Sequence, residues 1–200
     1  MSPDELSALV PEIGAFAQIK YVVSPFTKMS EDNTPADWQR IAEACHVELS
    51  KPDVQGVVLM HGTDTLHYTA AALSFMLPHL AKPVVLVGSQ RSSDRGSSDA
   101  YMNLICSARV AVSDIAEVGT CMHHTTSDDF CAFNLGASVR KMHTSRRDAF
   151  RPINRLPLAF VWPDGTMEKK SPSRTRSTGA TKLDNVFEPN IALVKMHPGL

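Results

Sequence analysis

Residues 54–87 read VQGVVLMHGTDTLHYTAAALSFMLPHLAKPVVLV, and this stretch decides the fold class. Val54 to Met60 is apolar, rich in valine and too short for a helix, so it reads as a central parallel strand covered on both faces. The polar exit His61-Gly62-Thr63-Asp64-Thr65 follows. A helix begins around Asp64-Thr65, with Leu66, Ala70, Leu73, Leu77 and Leu80 as its apolar stripe and Pro78 disturbing its last turn. Pro83 to Val87 is the next strand. Strand, helix and strand in about thirty residues make one βαβ unit.

The same alternation extends outward from that unit. Upstream, Ile19 to Val23 reads as a short buried strand stopped by Ser24-Pro25. Thr34-Pro35 then opens a helix whose Trp38, Ile41, Cys45 and Leu49 face the core. Downstream, Gly88 starts a polar loop, and Asp99 is placed as the N-cap of a helix carrying Met102, Ile105, Arg109 and Val112. Val118 to Met122 is a further strand. The order predicts an α/β fold, a parallel sheet with helices on both faces. Beyond Ala132 the pattern weakens. Leu158 to Trp162 reads as a strand, Pro163-Asp164-Gly165 as a turn, and Lys169 to Lys182 as an exposed, solvated basic loop. Ile191 to Met196 is strand-like and stands at the start of a new unit. The expected organisation is one α/β domain over residues 1–187, with residues 188–200 as a linker and the first strand of a truncated second, smaller α/β domain.

Composition limits the function classes. The chain has 200 residues, 43% hydrophobic and 20% charged, values of an ordinary globular protein. Twenty Lys and Arg against 21 Asp and Glu leave a net charge of -1, which argues against a surface built as a whole for nucleic acid or an anionic membrane. The longest apolar runs fall far short of a membrane span, and the acidic start Met1-Ser2-Pro3-Asp4-Glu5 is unlike a signal peptide, so a cytoplasmic location is expected. Cys45, Cys106, Cys121 and Cys131 show no close pairing and read as free thiols, with Cys45 and Cys106 in the core. Zinc would have to draw on Cys121, His123, His124 and Cys131, whose spacing suits no structural site, so no metal is expected.

In parallel α/β sheets, ligands bind at loops leaving the carboxyl ends of the strands. Three such loops are candidates. In His61 to Thr65, Gly62 permits the tight exit, and Thr63 with Asp64 suits nucleophilic or water-positioning work beside an ammonium-bearing substrate. The alternative is that Thr or Asp simply caps the helix. Gly88 to Arg95 could receive an anion, or could be a loop stiffened by Ser and Asp turns; it lacks the ending of a nucleotide-binding P-loop. In Val139 to Ser145, Lys141 can act as a base if its surroundings lower its pKa, and otherwise is a surface charge. Ser30-Glu31-Asp32, after the first strand, faces the same sheet edge.

Taken together, GVVLMHGTDTLHYTAAALSFML, KPVVLVGSQRSSDRGSSDAYMNLICSA, ASVRKMHTSRRDAF and SEDNTPADW resemble the L-asparaginase/glutaminase family. They are most similar to its archaeal branch, the D subunits of glutamyl-tRNA(Gln) amidotransferases, over nearly the whole chain. The resemblance implies the catalytic roles of Thr63, its partner Asp64 and the lysine Lys141. It also implies that Ser30 and Glu31 hold the α-carboxylate and α-amine of an amino-acid substrate, beside Gly62. The implied reaction is hydrolysis of the glutamine or asparagine side-chain amide through an acyl intermediate. The ammonia released would serve the E subunit, a partner that amidates glutamate on tRNA(Gln). Hydrolysis itself would need no cofactor, ATP and Mg belonging to the partner, and tRNA would be met mainly through it; a homodimer is implied for the full-length protein.

The chain also departs from the family pattern. No TGGTIA-type segment, which carries the family's first catalytic threonine, occurs here, nor does the Tyr-bearing lid that follows it. Asn33 stands where the turn usually carries Met. The expectation is a fragment whose own turnover is impaired. The rival readings are a fragment of a plain L-asparaginase and a non-catalytic binding or interaction module of the same fold.

Overall fold

The computed structural model describes residues 2–199. Its elements in chain order are α1 (Pro3–Leu9), α2 (Pro35–Leu49), β1 (Val57–Met60), α3 (Leu66–Met76), β2 (Val84–Val87), α4 (Ala100–Ala111), β3 (Val118–His123), β4 (Cys131–Leu135), β5 (Val139–Lys141), β6 (Phe150–Pro152), β7 (Ala159–Val161) and β8 (Met167–Lys169). Short 3-10 turns occupy Pro11–Ala15, Ser30–Asp32 and Gly136–Ser138.

The main sheet runs β1-β2-β3-β4-β7-β8. Its first three strands are parallel, with Val57 opposite Val84 and Val84 opposite Val118. From β4 onward every pairing is antiparallel, so the sheet is mixed, where the sequence pattern predicts a parallel one. The connections from β3 to β4 and from β7 to β8 are short, which antiparallel pairing allows and a parallel crossover does not; the longer link from β4 to β7 carries β5 and β6. β5 and β6 form a separate two-stranded ribbon.

Helices cover both faces. Because side chains alternate along a strand, Val84 and Leu86 pack under α2 and α3, with Ile41, Cys45, Leu66, Leu73 and Phe150. Val85 points the other way, into a cluster with Cys106 and Val110 of α4, Phe133 and Val161. All four residues of β2 are buried, as its uninterrupted valine-leucine run requires. All four cysteines are buried and free, and burial pushes the Cys45 thiol up to about 12. Among the described residues no helix is long and apolar enough to cross a membrane.

Three expectations need correction. First, Ile19 to Val23 forms no strand. The segment is extended, but a groove of about 880 Å³ separates it from β1, with α2 on one side and Leu104, Ala108 and Ala111 of α4 on the other. A strand needs a neighbour about 4.8 Å away, and across this groove none is in reach. β1 is therefore an edge strand, with Met60 exposed, where its sequence reads as central. Second, Ile191 to Met196 forms no strand either; Ile191, Leu193, Val194 and Met196 are all exposed. The chain stays attached as far as Phe187, whose ring lies 5.3 Å from that of Trp38. Third, the basic stretch 169–182 is not a solvated loop throughout. Arg174 pairs with the buried Glu117 at 2.6 Å, and Arg176 donates to the carbonyls of Ser113, Gln55 and Ala111.

Candidate active site

β1 ends at Met60, and the polar exit 61–65 leads directly into α3. The exit is tight because Gly62 lies against the 3-10 turn at Ser30. A Cβ at Gly62 would stand 2.7 Å from both Cβ and Oγ of Ser30. The Thr65 hydroxyl, 2.7 Å from the Ser30 carbonyl oxygen, fastens the two segments. Ser30 is buried, and its hydroxyl is 3.5 Å from the Glu31 carboxylate. The turn at Ser30 and the loop carrying Thr63 are thus one unit, although thirty residues of chain separate them.

Lys141 reaches the same place from the far side of α3. The turn Gly136–Ser138 packs on that helix so closely that a Cβ at Gly136 would lie 2.7 Å from the Ala70 carbonyl oxygen. β5 then runs toward the amino end of α3, held by its register with β6, Lys141 opposite Phe150. The Lys141 ammonium donates to Thr63 Oγ1 at 2.9 Å and to Asp64 Oδ1 at 2.7 Å. Its side chain is only 8% exposed, while that of Asp64 is 63% exposed. A lysine ammonium can only donate, so Thr63 Oγ1 accepts here and keeps its own hydrogen for a water or a substrate atom. All six residues expected at the site, Ser30, Glu31, Gly62, Thr63, Asp64 and Lys141, stand at this one end of the sheet.

The Gly88 loop is built differently from the anion site its sequence allows. Asp99 is fully buried and its carboxylate does not cap the backbone amides of its own helix. Its carboxylate instead accepts the amide hydrogens of Gln90 (3.0 Å) and Arg91 (2.9 Å), groups an anion would need. Asn103 donates to Asp99 and to the Gly88 carbonyl, and its own carbonyl lies 2.6 Å from His123 Nδ1. The loop is thereby braced from α4 and β3. It in turn braces the site, because a Cβ at Gly88 would come within 2.6 Å of the His61 carbonyl oxygen.

Two histidines border the cluster. His67 is buried behind Lys141, and its pKa is lowered by burial first, then by the charges of Arg140 and Lys141. His61 is lowered by burial, with the Gly62 carbonyl opposing. Neither was singled out by sequence reasoning; their positions, before Gly62 and in the first turn of α3, were the only available signal.

This strand-exit threonine and aspartate, met by a lysine from a distant ribbon, sit on a fold whose family can be stated. Residues 1–174 match the family described as asparaginase, N-terminal, and the chain belongs to that family. Among its relatives, the glutamyl-tRNA(Gln) amidotransferase D subunit of Thermococcus kodakarensis is 54% identical over 198 residues, covering 98% of this chain and 44% of that protein. The D subunit of Methanosarcina acetivorans is 48% identical, covering 98% of this chain and 46% of its own length. Among solved structures, the thermostable L-asparaginase from Thermococcus kodakarensis superposes with a TM-score of 0.82 at 28% identity, covering all of this chain and 58% of that one. L-asparaginase I from Vibrio cholerae gives 0.82 at 29% identity, covering 98% and 58%. The chain spans a little under half the length of the curated relatives it matches.

Proposed function

We propose that this chain is part of an amidase that releases ammonia from glutamine or asparagine, as the D subunit of a glutamyl-tRNA(Gln) amidotransferase. The observation that carries the reading is the Lys141 ammonium bound to Thr63 Oγ1 and Asp64 at one end of the sheet. In this reading Ser30 donates to the substrate α-carboxylate and Glu31 pairs with its α-ammonium, next to Gly62. Thr63 and Lys141 orient the attacking group, and Asp64 holds the lysine in place. Identity of 54% to a D subunit, against 28% to an L-asparaginase of known structure, favours the amidotransferase role over a plain asparaginase. Hydrolysis would proceed without a cofactor, with ATP and magnesium used by the E subunit, which would also take most contacts to tRNA. A homodimer of the full-length protein and a cytoplasmic location complete the proposal.

The proposal also includes a first domain over 1–187 and the beginning of a second over 188–200, and it gives a role to the groove beside β1. β1 bonds to β2 through Val57 and His61, which turns the amides of Val58 and Met60 toward the groove. Tyr21 bonds Asp53 across it, and Ser30 meets Gly62 at its other end, so segment 19–30 runs parallel to β1. We propose that a strand from elsewhere in a longer protein fills this groove and brings the missing nucleophilic threonine to Thr63. Ammonia release from glutamine and from asparagine tests the proposal. Residues 1–200 alone should give little or none, and a protein extended through a TGGTIA segment and a second domain should be active. Full activity from residues 1–200, or none from the extended protein, would overturn it.

A further inference from the structure

One polar assembly at the site has no part in the proposed chemistry, and it joins the two segments that the chemistry needs. His61 lies between the turn at Ser30 and the loop at Thr63. Its Nδ1 is 2.7 Å from the Gly62 carbonyl oxygen. A carbonyl only accepts, so Nδ1 bears a hydrogen. Its Nε2 has two neighbours, Thr69 Oγ1 at 2.9 Å and Asn33 Nδ2 at 3.1 Å. The Trp38 indole, which can only donate, already gives its hydrogen to Thr69 Oγ1 at 3.0 Å. The Thr69 hydroxyl hydrogen is therefore left for Nε2.

Burial holds the ring below its ordinary pKa of 6.5, which favours the neutral form with a lone pair on Nε2. That lone pair dictates the orientation of Asn33. Its amide NH₂ must face the ring, because the reversed amide would set one lone pair against another. Oδ1 of Asn33 is buried and meets no donor among the described residues, so the contact with His61 outweighs an orphaned acceptor. The Asn33 backbone N–H also closes the Ser30 turn, bonding the Ser30 carbonyl at 3.1 Å. A methionine here, the residue the family resemblance expects, could make no such bond from its side chain.

We infer that Asn33 and His61 are a positioning pair, in which the neutral, Nδ1-protonated ring of His61 fixes the plane of the Gly62–Thr63 peptide and Asn33 locks the Ser30–Glu31 turn to that ring. Neither residue need touch a substrate. The inference concerns the site proposed above, but its geometry does not depend on which reaction occurs there.

The test is nitrogen-15 NMR of the histidine rings in residues 1–200, with no turnover required. In the wild-type chain, His61 should show a protonated Nδ1 and a hydrogen-bonded, unprotonated Nε2 at pH 7. In Asn33→Asp the side chain is nearly isosteric but can no longer donate. Nε2 should then gain a proton, with a proton affinity at least tenfold above wild type. In Asn33→Ala, amide exchange should rise together in residues 30–33 and 61–65. A wild-type ring protonated on Nε2 would overturn the inference, as would an Asn33→Asp ring that titrates as the wild type does. Faster exchange in only one of the two segments would do the same. Ammonia assays do not enter, so failure of the amidase reading and failure of this pairing are distinguishable.

Discussion

Replacing Asp37 with alanine should both destabilise the fold and loosen the turn at Ser30–Asp32, because this carboxylate ties the start of α2 to what precedes it. Asp37 is buried, and its Oδ2 accepts the Thr34 backbone N–H and hydroxyl, each at 2.8 Å, and the Lys28 ammonium at 2.6 Å. Losing the bonds at the helix start costs about 1 kcal/mol. The Lys28 bond is charge-assisted, but that lysine is one-third exposed, so about 1 kcal/mol is assigned to it. The expected loss is about 2 kcal/mol at pH 7, or roughly 4–8 °C in Tm for a chain of this size.

The pH dependence offers an independent check on that figure. The Lys28 bond first, and the Thr34 amide next, hold the Asp37 carboxyl at about 2, against an ordinary 3.8. That depression corresponds to on the order of 2 kcal/mol by linkage. Because the folded value lies below the unfolded one, the contribution is complete above about pH 4 and falls away as pH drops through about 2. Urea unfolding followed by circular dichroism, on wild type and Asp37→Ala at stepped pH, measures both effects. The two curves should differ at neutral pH and converge near pH 2. A difference under about 0.5 kcal/mol at pH 7, or one that persists undiminished at pH 2, would refute the reasoning.

Two further outcomes follow from packing. Cys45 and Cys106 should resist a disulfide-exchange reagent in the folded chain at pH 8, and react on unfolding; with its thiol at about 12, Cys45 carries on the order of one thiolate in ten thousand molecules at that pH. Gly62→Ala should push Ser30 away from the site, since the new Cβ would lie 2.7 Å from Ser30 Oγ. Under the proposed function, this should raise KM for glutamine in the extended, active protein tenfold or more while costing only about 1–2 kcal/mol of stability, read from parallel kinetics and thermal unfolding.

Much of the parallel half of the fold was legible because its signals are local. The Val57–Met60 and Val84–Val87 runs are too short and too β-branched for helices, and Leu66, Ala70 and Leu73 repeat at helical spacing. The exit loops followed from the strands, so Gly62, Thr63 and Asp64 could be placed at the sheet edge before any contact was known. The joining of Lys141 to them came only from the family resemblance and not from the residue pattern, because it depends on how a three-residue strand packs across α3. In the antiparallel half, β7 falls inside the Leu158–Trp162 run that reads as a strand, but β8 was hidden for a related reason: it has three residues, Met-Glu-Lys, a polar edge with no strand pattern. Ile19 to Val23 has the composition of a strand, yet strand formation needs a partner that the groove does not supply. Asp99 was placed correctly before α4 but acts on Gln90 and Arg91, since its buried carboxylate takes their backbone amides rather than the amides of its own helix. Asn33 and His61 carry no sequence signature beyond one unexpected residue type in the turn.

The most direct test of the central claim is the effect of Thr63→Ala and Lys141→Met on glutamine hydrolysis by the full-length protein, measured as ammonia released per active site. If Thr63, Asp64 and Lys141 form the working cluster, each substitution should lower kcat by at least a thousandfold. The double variant should then be little worse than either single one, because groups that act as a unit fail together. A loss of less than tenfold in either single variant, with the fold intact, would contradict the account.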